Sequence, residues 1–117
     1  MINKDSKILI TGGSGLVGQN LTERLIREGY TSLRVNLHKR GVRTKHDCVE
    51  YTNLDLQTYS GCREATEGVN VVFHAAASTS NAVDTVVDPL AHVTPNVAMN
   101  NFLIDAAWRN FVKHCNF

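Results

Sequence analysis

Lys7-Ile8-Leu9-Ile10-Thr11-Gly12-Gly13-Ser14-Gly15-Leu16-Val17-Gly18 is the stretch whose reading decides the fold. A short apolar run, then glycines, then apolar residues at helical spacing (Leu16, Val17, Leu21, Leu25, Ile26) reads as strand, tight turn and helix. Chemistry asks for glycine here for separate reasons. Gly12 lets the chain turn sharply off the strand, where a Cβ would clash. Gly15 removes a side chain where backbone must approach a pyrophosphate, and Gly18 lets the helix lie tight against the sheet. A helix starting near Gly15 points unpaired N–H groups and its positive dipole end at phosphates. The implied ligand is a dinucleotide, with Gly12, Gly13, Ser14, Gly15, Leu16, Val17 and Gly18 as candidate contacts.

The elements alternate along the rest of the chain. Strands are expected at Lys7–Thr11, Ser32–Leu37, Cys48–Thr52, Val69–His74 and, beginning a fifth, Val112–Phe117. Helices are expected at Leu16–Glu28, stopped by Gly29, at Thr58–Glu67, closed by Gly68, and from roughly His92 to Asn110. Lys39 to Asp47 reads as a basic loop and Ser78 to Asp88 as a polar connection. Strands separated by helices imply a parallel sheet with right-handed crossovers and helices on both faces. The fold class is α/β, a doubly wound Rossmann-type sheet, and the strand order 3-2-1-4-5 follows by analogy with dinucleotide folds.

Length and composition set bounds. A chain of 117 residues forms one domain, and 43% hydrophobic with 20% charged residues is ordinary for a globular protein. A net charge of +1 gives no basic footprint, so nucleic acid is not an expected partner. No apolar run approaches the ~20 residues that span a bilayer, and the first residues lack a leader's apolar stretch, so no membrane partner and a cytoplasmic location are expected. Cys48, Cys62 and Cys115 are odd in number and widely spaced, which reads as idle thiols rather than disulfides, metal ligands or nucleophiles.

The glycines fit two registers, Gly13/Gly15/Gly18 and Gly12/Gly15/Gly18 preceded by Thr11. The second, Thr-Gly-x-x-Gly-x-x-Gly, resembles the short-chain dehydrogenase/reductase superfamily, in particular its extended branch of nucleotide-sugar epimerases, dehydratases and reductases. At the end of strand four, His74, Ala76 and Ala77 match that branch's His-x-Ala-Ala, and the resemblance places Ala75, Ala76 and Ala77 beside the nicotinamide. His74 itself reads as a satisfied core histidine in preference to a ligand. Asn53-Leu54-Asp55-Leu56 looks like the Gly-Asp-Leu after strand three, with Asn53 where glycine is common; it implies that Asp55 and Leu56 read the adenine. The alternative for Asp55 is an N-cap of the helix near Thr58. Pro89-Leu90 followed by Asn96-Val97 resembles the start of the branch's long helix, where an asparagine, here Asn96, sits near the cofactor. Asn96-Val97-Ala98-Met99-Asn100 is most similar to members acting on GDP-linked keto-deoxysugars, such as GDP-fucose synthase.

The end of strand two bears on the cofactor. NAD-selective folds carry an acid ~20 residues after the glycine turn, bonded to the ribose 2′-OH. Val35-Asn36-Leu37-His38-Lys39-Arg40 has no acid and two cations, so Arg40 with Lys39, and Arg43 further on, are candidates for a 2′-phosphate. NADP is the expected cofactor and NAD the alternative; a solvated basic loop is the competing reading. Hydride transfer in the superfamily uses a Tyr-x-x-x-Lys pair, the lysine lowering the phenol's pKa. Here Tyr30 is followed four residues on by Arg34, Tyr51 by Asp55 and Tyr59 by Arg63. The resemblance therefore implies residues 1–117 to be an incomplete dinucleotide-binding domain, cut after the start of strand five, with catalytic and substrate parts elsewhere. This chain alone is expected to be inactive, and the full-length protein an NAD(P)-dependent epimerase or dehydratase taking a nucleotide sugar. A non-catalytic nucleotide-binding or redox-sensing module is the alternative. The long helix (Leu103, Ile104, Ala106, Ala107, Trp108, Phe111) is apolar over more than half its circumference, and with an open strand edge at 112–117 this makes a homo-oligomer the expected assembly.

Overall fold

A computed structural model describes residues 3–38, 40–76, 87–88, 90 and 93–116. Lys39, Ala77, Pro89, His92, Phe117 and most of the polar connection from Ser78 lie outside the described residues. The elements run β1 (Ile8–Thr11), α1 (Leu16–Arg27), β2 (Leu33–Asn36), β3 (Val49–Thr52), α2 (Tyr59–Thr66), β4 (Val71–His74), α3 (Val93–Arg109) and β5 (His114–Asn116). Each falls within two residues of its sequence expectation, the strands being shorter because pairing stops where the chain leaves the sheet. The five strands form one sheet in the order β3-β2-β1-β4-β5. Every pairing is parallel, with Ile8 opposite both Leu33 and Val71.

Alternation along β1 builds a three-layer core. Ile8 and Ile10 face one side with Leu25 of α1 and Leu33, Val35, Val49 and Val71. Leu9 faces the other with Val72, Cys62 and Ala65 of α2, and Met99, Leu103 and Ala106 of α3. The α3 helix separates its apolar residues accordingly. Leu103 and Ala106 are fully buried, whereas Ile104, Trp108 and Phe111 are 49%, 75% and 86% exposed. Leu103 therefore belongs to the core and not to an outward apolar face. Phe111 closes α3 in the left-handed region (φ 61°), a place more often filled by glycine.

At the amino end of the sheet one carboxylate serves two cations. Glu50 Oε1 lies 2.8 Å from Lys7 Nζ and 3.2 Å from Arg34 Nε. The Lys7 hydrogen bond, ahead of Arg34, holds the Glu50 carboxyl below its usual value. Arg34 Nη1 donates to the Ala65 and Glu67 carbonyls, tying β2 to the end of α2.

The carboxyl end of β1 is shaped by missing side chains. Gly12 has φ +67°, and a Cβ there would stand 2.6 Å from Ala75 C and Ala76 N. A Cβ at Gly18 would overlap the Gly12 carbonyl oxygen. What Gly18 permits is thus close packing of α1 on the turn itself, rather than on the sheet. We expect Gly18→Ala to destabilise the chain by roughly 1–3 kcal/mol, the usual cost of overpacking. Gly41→Ala, where a Cβ would meet nothing within 4 Å, is expected to leave the melting temperature nearly unchanged. Paired thermal denaturation of the two variants checks this.

Candidate dinucleotide site

The β1–α1 turn comes off the central strand at the point where the chain reverses direction across the sheet, between β2 and β4. A crevice opens there beyond the strands' carboxyl ends. It holds about 360 Å³ and is lined by Gly12, Ser14 and Gly15 from the turn, and by Asn36, Leu37, His38 and Arg40 after β2. Leu54, Asp55, Leu56 and Gln57 after β3, Ala75 and Ala76 after β4, and Met99 of α3 complete the wall. The volume lies within the ~300–1,000 Å³ typical of small-molecule sites.

The floor is the glycine turn. Gly15 is the N-cap of α1 and brings no side-chain acceptor, and the first helical turn has no acid. The donors at the start of α1 are thereby left to an anion. Leu16 and Val17 are 72% and 67% exposed, so only their backbone is suited to phosphate. Gly13 lies under the turn, its N–H donating to the Asn36 carbonyl (3.0 Å), and a Cβ there would overlap Val35. The Gln19 side chain spans from the turn to the basic loop: Nε2 donates to Ser14 O (3.0 Å), and Oε1 accepts from Arg43 N (2.8 Å).

The loop after β3 is fixed from both sides. Asp55 O accepts from the Thr58 N–H and hydroxyl, and Leu56 O from the Cys62 thiol. Burial, the larger cause, together with the charge of Asp55 pushes that thiol up to about 11. Thr58, not Asp55, caps α2, its Oγ1 accepting from Gly61 N at 3.1 Å. Asp55 Oδ1 instead accepts from Gln57 N (3.0 Å). Among the described residues no acceptor meets the Leu56 N–H. A carboxylate and a free N–H therefore stand side by side, the pair needed to read an adenine amino edge.

At the wall formed after β4, Thr11 Oγ1 accepts from Ala75 N and Ala76 N, both at 3.1 Å, and lies 2.7 Å from His74 Nδ1. Its proton therefore goes to Nδ1, and Nε2 carries the imidazole hydrogen to Asn100 Oδ1 at 2.8 Å. His74 is neutral, and burial holds it below its ordinary value against the opposing hydrogen bond to Asn100. It is the satisfied histidine that the sequence suggests.

Of the candidate contacts, Gly12, Ser14, Gly15, Arg40, Asp55, Leu56, Ala75 and Ala76 meet at the crevice. Gly13 and Gly18 shape it from beneath, Asn96 stands on α3 one turn before Met99 and is not among the described lining, and Lys39 and Ala77 lie outside the described residues. Arg43 turns away, 4.0 Å from Glu23. Sequence reasoning did not select Asn36, Leu37, His38, Leu54, Gln57 or Met99; a residue adjoining a selected one, as Leu54 adjoins Asp55, was the available signal.

A parallel sheet of this order with a glycine-turn crevice defines a dinucleotide-binding α/β domain. Residues 8–117 match the NAD dependent epimerase/dehydratase family, and the chain belongs to it. Over 76 residues it is 33% identical to the decarboxylating sterol-4-alpha-carboxylate 3-dehydrogenase of Mus musculus, covering 65% of this chain and 20% of that protein. It is also 33% identical over 76 residues to GDP-mannose 3,5-epimerase of Arabidopsis thaliana, covering 64% and 20%. The UDP-glucose 4-epimerase of Thermus thermophilus, solved with NAD, superposes with a TM-score of 0.76 at 23% identity, covering 93% of this chain and 36% of that one. The chain thus spans about a fifth of the length of these two curated relatives.

Stability that depends on neutral His74 is complete above the ordinary imidazole value of ~6.5 and is lost as pH falls from there through the lower folded value. We expect the melting temperature to fall on acidification from pH 7.5 to 5.5. A His74→Phe variant, less stable throughout, is expected to lack that step. Thr11→Val, which leaves two amides unpaired, is expected to cost roughly 2 kcal/mol. Melting curves of the three proteins across this range provide the check.

Proposed function

We propose that the crevice takes NADP(H), and that the chain is the cofactor-binding portion of an epimerase, dehydratase or reductase acting on a nucleotide sugar by hydride transfer. The observation carrying the cofactor reading is that β2 ends on neutral Asn36 and leads to His38 and Arg40 on the crevice wall, where Asp55 is the sole carboxylate among the described lining. A guanidinium at that wall favours a 2′-phosphate by charge-assisted hydrogen bonding. NAD, present in the Thermus structure, is the alternative. The substrate reading draws on the family and on relatives such as GDP-mannose 3,5-epimerase.

Turnover is proposed to need residues beyond 1–117, because none of the three tyrosines has a lysine four residues on. Tyr59, the tyrosine of α2, packs edge-on against Phe102 (centroids 6.1 Å apart), away from the described crevice lining. The same absence favours, as a second reading, a non-catalytic nucleotide-binding module.

Calorimetry with both dinucleotides tests the cofactor. Tighter binding of NADP⁺ than NAD⁺ is expected, with Arg40→Ala weakening NADP⁺ roughly tenfold and NAD⁺ little. Equal affinities, or an Arg40→Ala variant with unchanged NADP⁺ binding, would reject it. The same preparation is expected to turn over no nucleotide sugar.

A second copy of the chain is the proposed partner of the outward α3 residues Ile104, Trp108 and Phe111. Sedimentation at micromolar concentration is expected to give a dimer or larger species, reduced by Trp108→Glu.

A further inference from the structure

The last residue of β2 is where an acid would receive a ribose hydroxyl in an NAD-selective domain. Asn36 holds that place and lines the crevice, yet it is only 3% exposed. Its hydrogen-bonding capacity is directed inward. Oδ1 accepts from the Thr52 hydroxyl at 2.8 Å and from Leu54 N at 2.9 Å, which uses both lone pairs. Nδ2 donates to Leu54 O at 3.1 Å. The residue's own carbonyl accepts from Gly13 N. One side chain thus grips both backbone groups of the residue preceding Asp55, while its backbone grips the glycine turn. Asn53 reciprocates once its carboxamide is oriented with the nitrogen inward, donating to Leu37 O (3.0 Å) and His38 O (3.2 Å).

We propose that Asn36 is a positioning residue for the adenine end of the crevice, and that its carboxamide, spent inside the protein, leaves the end of β2 without an acceptor for a ribose hydroxyl. The proposal deepens the dinucleotide reading above and rests on it. The second Nδ2 hydrogen of Asn36 can only donate, so the side chain offers no acceptor to a ribose hydroxyl. An acid cannot replace it without loss. A carboxylate retains the acceptor for Leu54 N but sets a negative oxygen about 3 Å from the Leu54 carbonyl, where the amide hydrogen had been. The acid of an NAD-selective domain would therefore disturb the loop that Asn36 holds, and its graft fails here.

Two substitutions and one measurement on the unaltered chain test this. Asn36→Ala is expected to weaken NADP⁺ and NAD⁺ by the same factor, about tenfold, because the adenine they share loses its positioned loop. Loss of positioning lowers both affinities with their ratio fixed, whereas direct reading of the ribose would change the ratio. Asn36→Asp is expected to gain nothing for NAD⁺. Its thermal stability relative to the wild type at the same pH should be worst at pH 8 and recover toward pH 5. The sign follows because only the protonated carboxyl can donate to Leu54 O, so its folded pKa lies above the ordinary Asp value of ~3.9. The deficit is complete above that folded pKa and shrinks as pH falls toward the ordinary one. The wild-type control carries the same His38, His74 and Asp55, so their titration cancels.

Should neither variant fold, hydrogen exchange of the Leu54 amide in the wild type decides: protection before any cofactor is added supports the proposal, and exchange at an unprotected rate overturns it. A rise in NAD⁺ affinity in Asn36→Asp, or unchanged affinities in Asn36→Ala, overturns it too. If the wild type binds neither dinucleotide, the cofactor reading falls, while the acid recovery and the Leu54 protection still decide the role of Asn36.

Discussion

A Cβ on Gly12 would collide with the backbone of Ala75 and Ala76, and one on Gly18 with the carbonyl of Gly12. Three backbone segments, the turn after β1, the start of α1 and the loop after β4, therefore meet without side chains between them. Thr11 makes the contact specific, its hydroxyl saturated by two amides and an imidazole. A fully buried threonine is tolerated there because all its polar capacity is used. Were this junction even one methylene wider, the donors opening α1 would move away from the alanines that face them, and the crevice would lose its floor.

The wall after β2 and β3 is built on a different principle. Close packing fixes the junction of the glycine turn with the loop after β4, whereas hydrogen bonds between side chains and backbone fix the loops after β2 and β3. Leu54, Asp55 and Leu56 are gripped in turn by Asn36, Thr58 and Cys62. Each such bond is worth only about 1 kcal/mol net, but leaving its buried partner unpaired costs more. The set is consequently most sensitive to substitutions that remove one partner. Gly61 belongs to it as well, since a Cβ there would overlap the Asp55 carbonyl.

How much of this could be read from the sequence depends on whether a residue acts through local geometry or through a partner distant along the chain. The glycine turn and the alternation of strands and helices were legible because their reasons are local, sharp turns and alternating periods. The strand order came by analogy with dinucleotide folds, and the alanines after β4 from the family resemblance. Asn36 was visible only as a missing acid. Its actual work needs Leu54, 18 residues away, and no spacing rule announces that pairing. Asp55 offered itself as the cap of α2, and Thr58, three residues on, holds that place instead. The apolar circumference of α3 was equally ambiguous until the sheet chose Leu103 and left Ile104 outside.

The same distinction governs how far function can be read. Leu16 and Val17 follow the turn, yet their side chains point to solvent, and only main-chain donors there face the crevice floor. Recognition by main chain demands only that side chains be absent at a few positions, so it survives wide divergence elsewhere. Over 76 residues the chain is equally identical, at 33%, to a sterol-4-alpha-carboxylate 3-dehydrogenase and to a GDP-mannose 3,5-epimerase. A dinucleotide-binding domain requires glycines in the turn and small residues at strand ends, and such residues do not discriminate a sterol from a sugar. Discrimination has to come from side chains that meet the substrate, and main-chain recognition of a dinucleotide leaves their identity free.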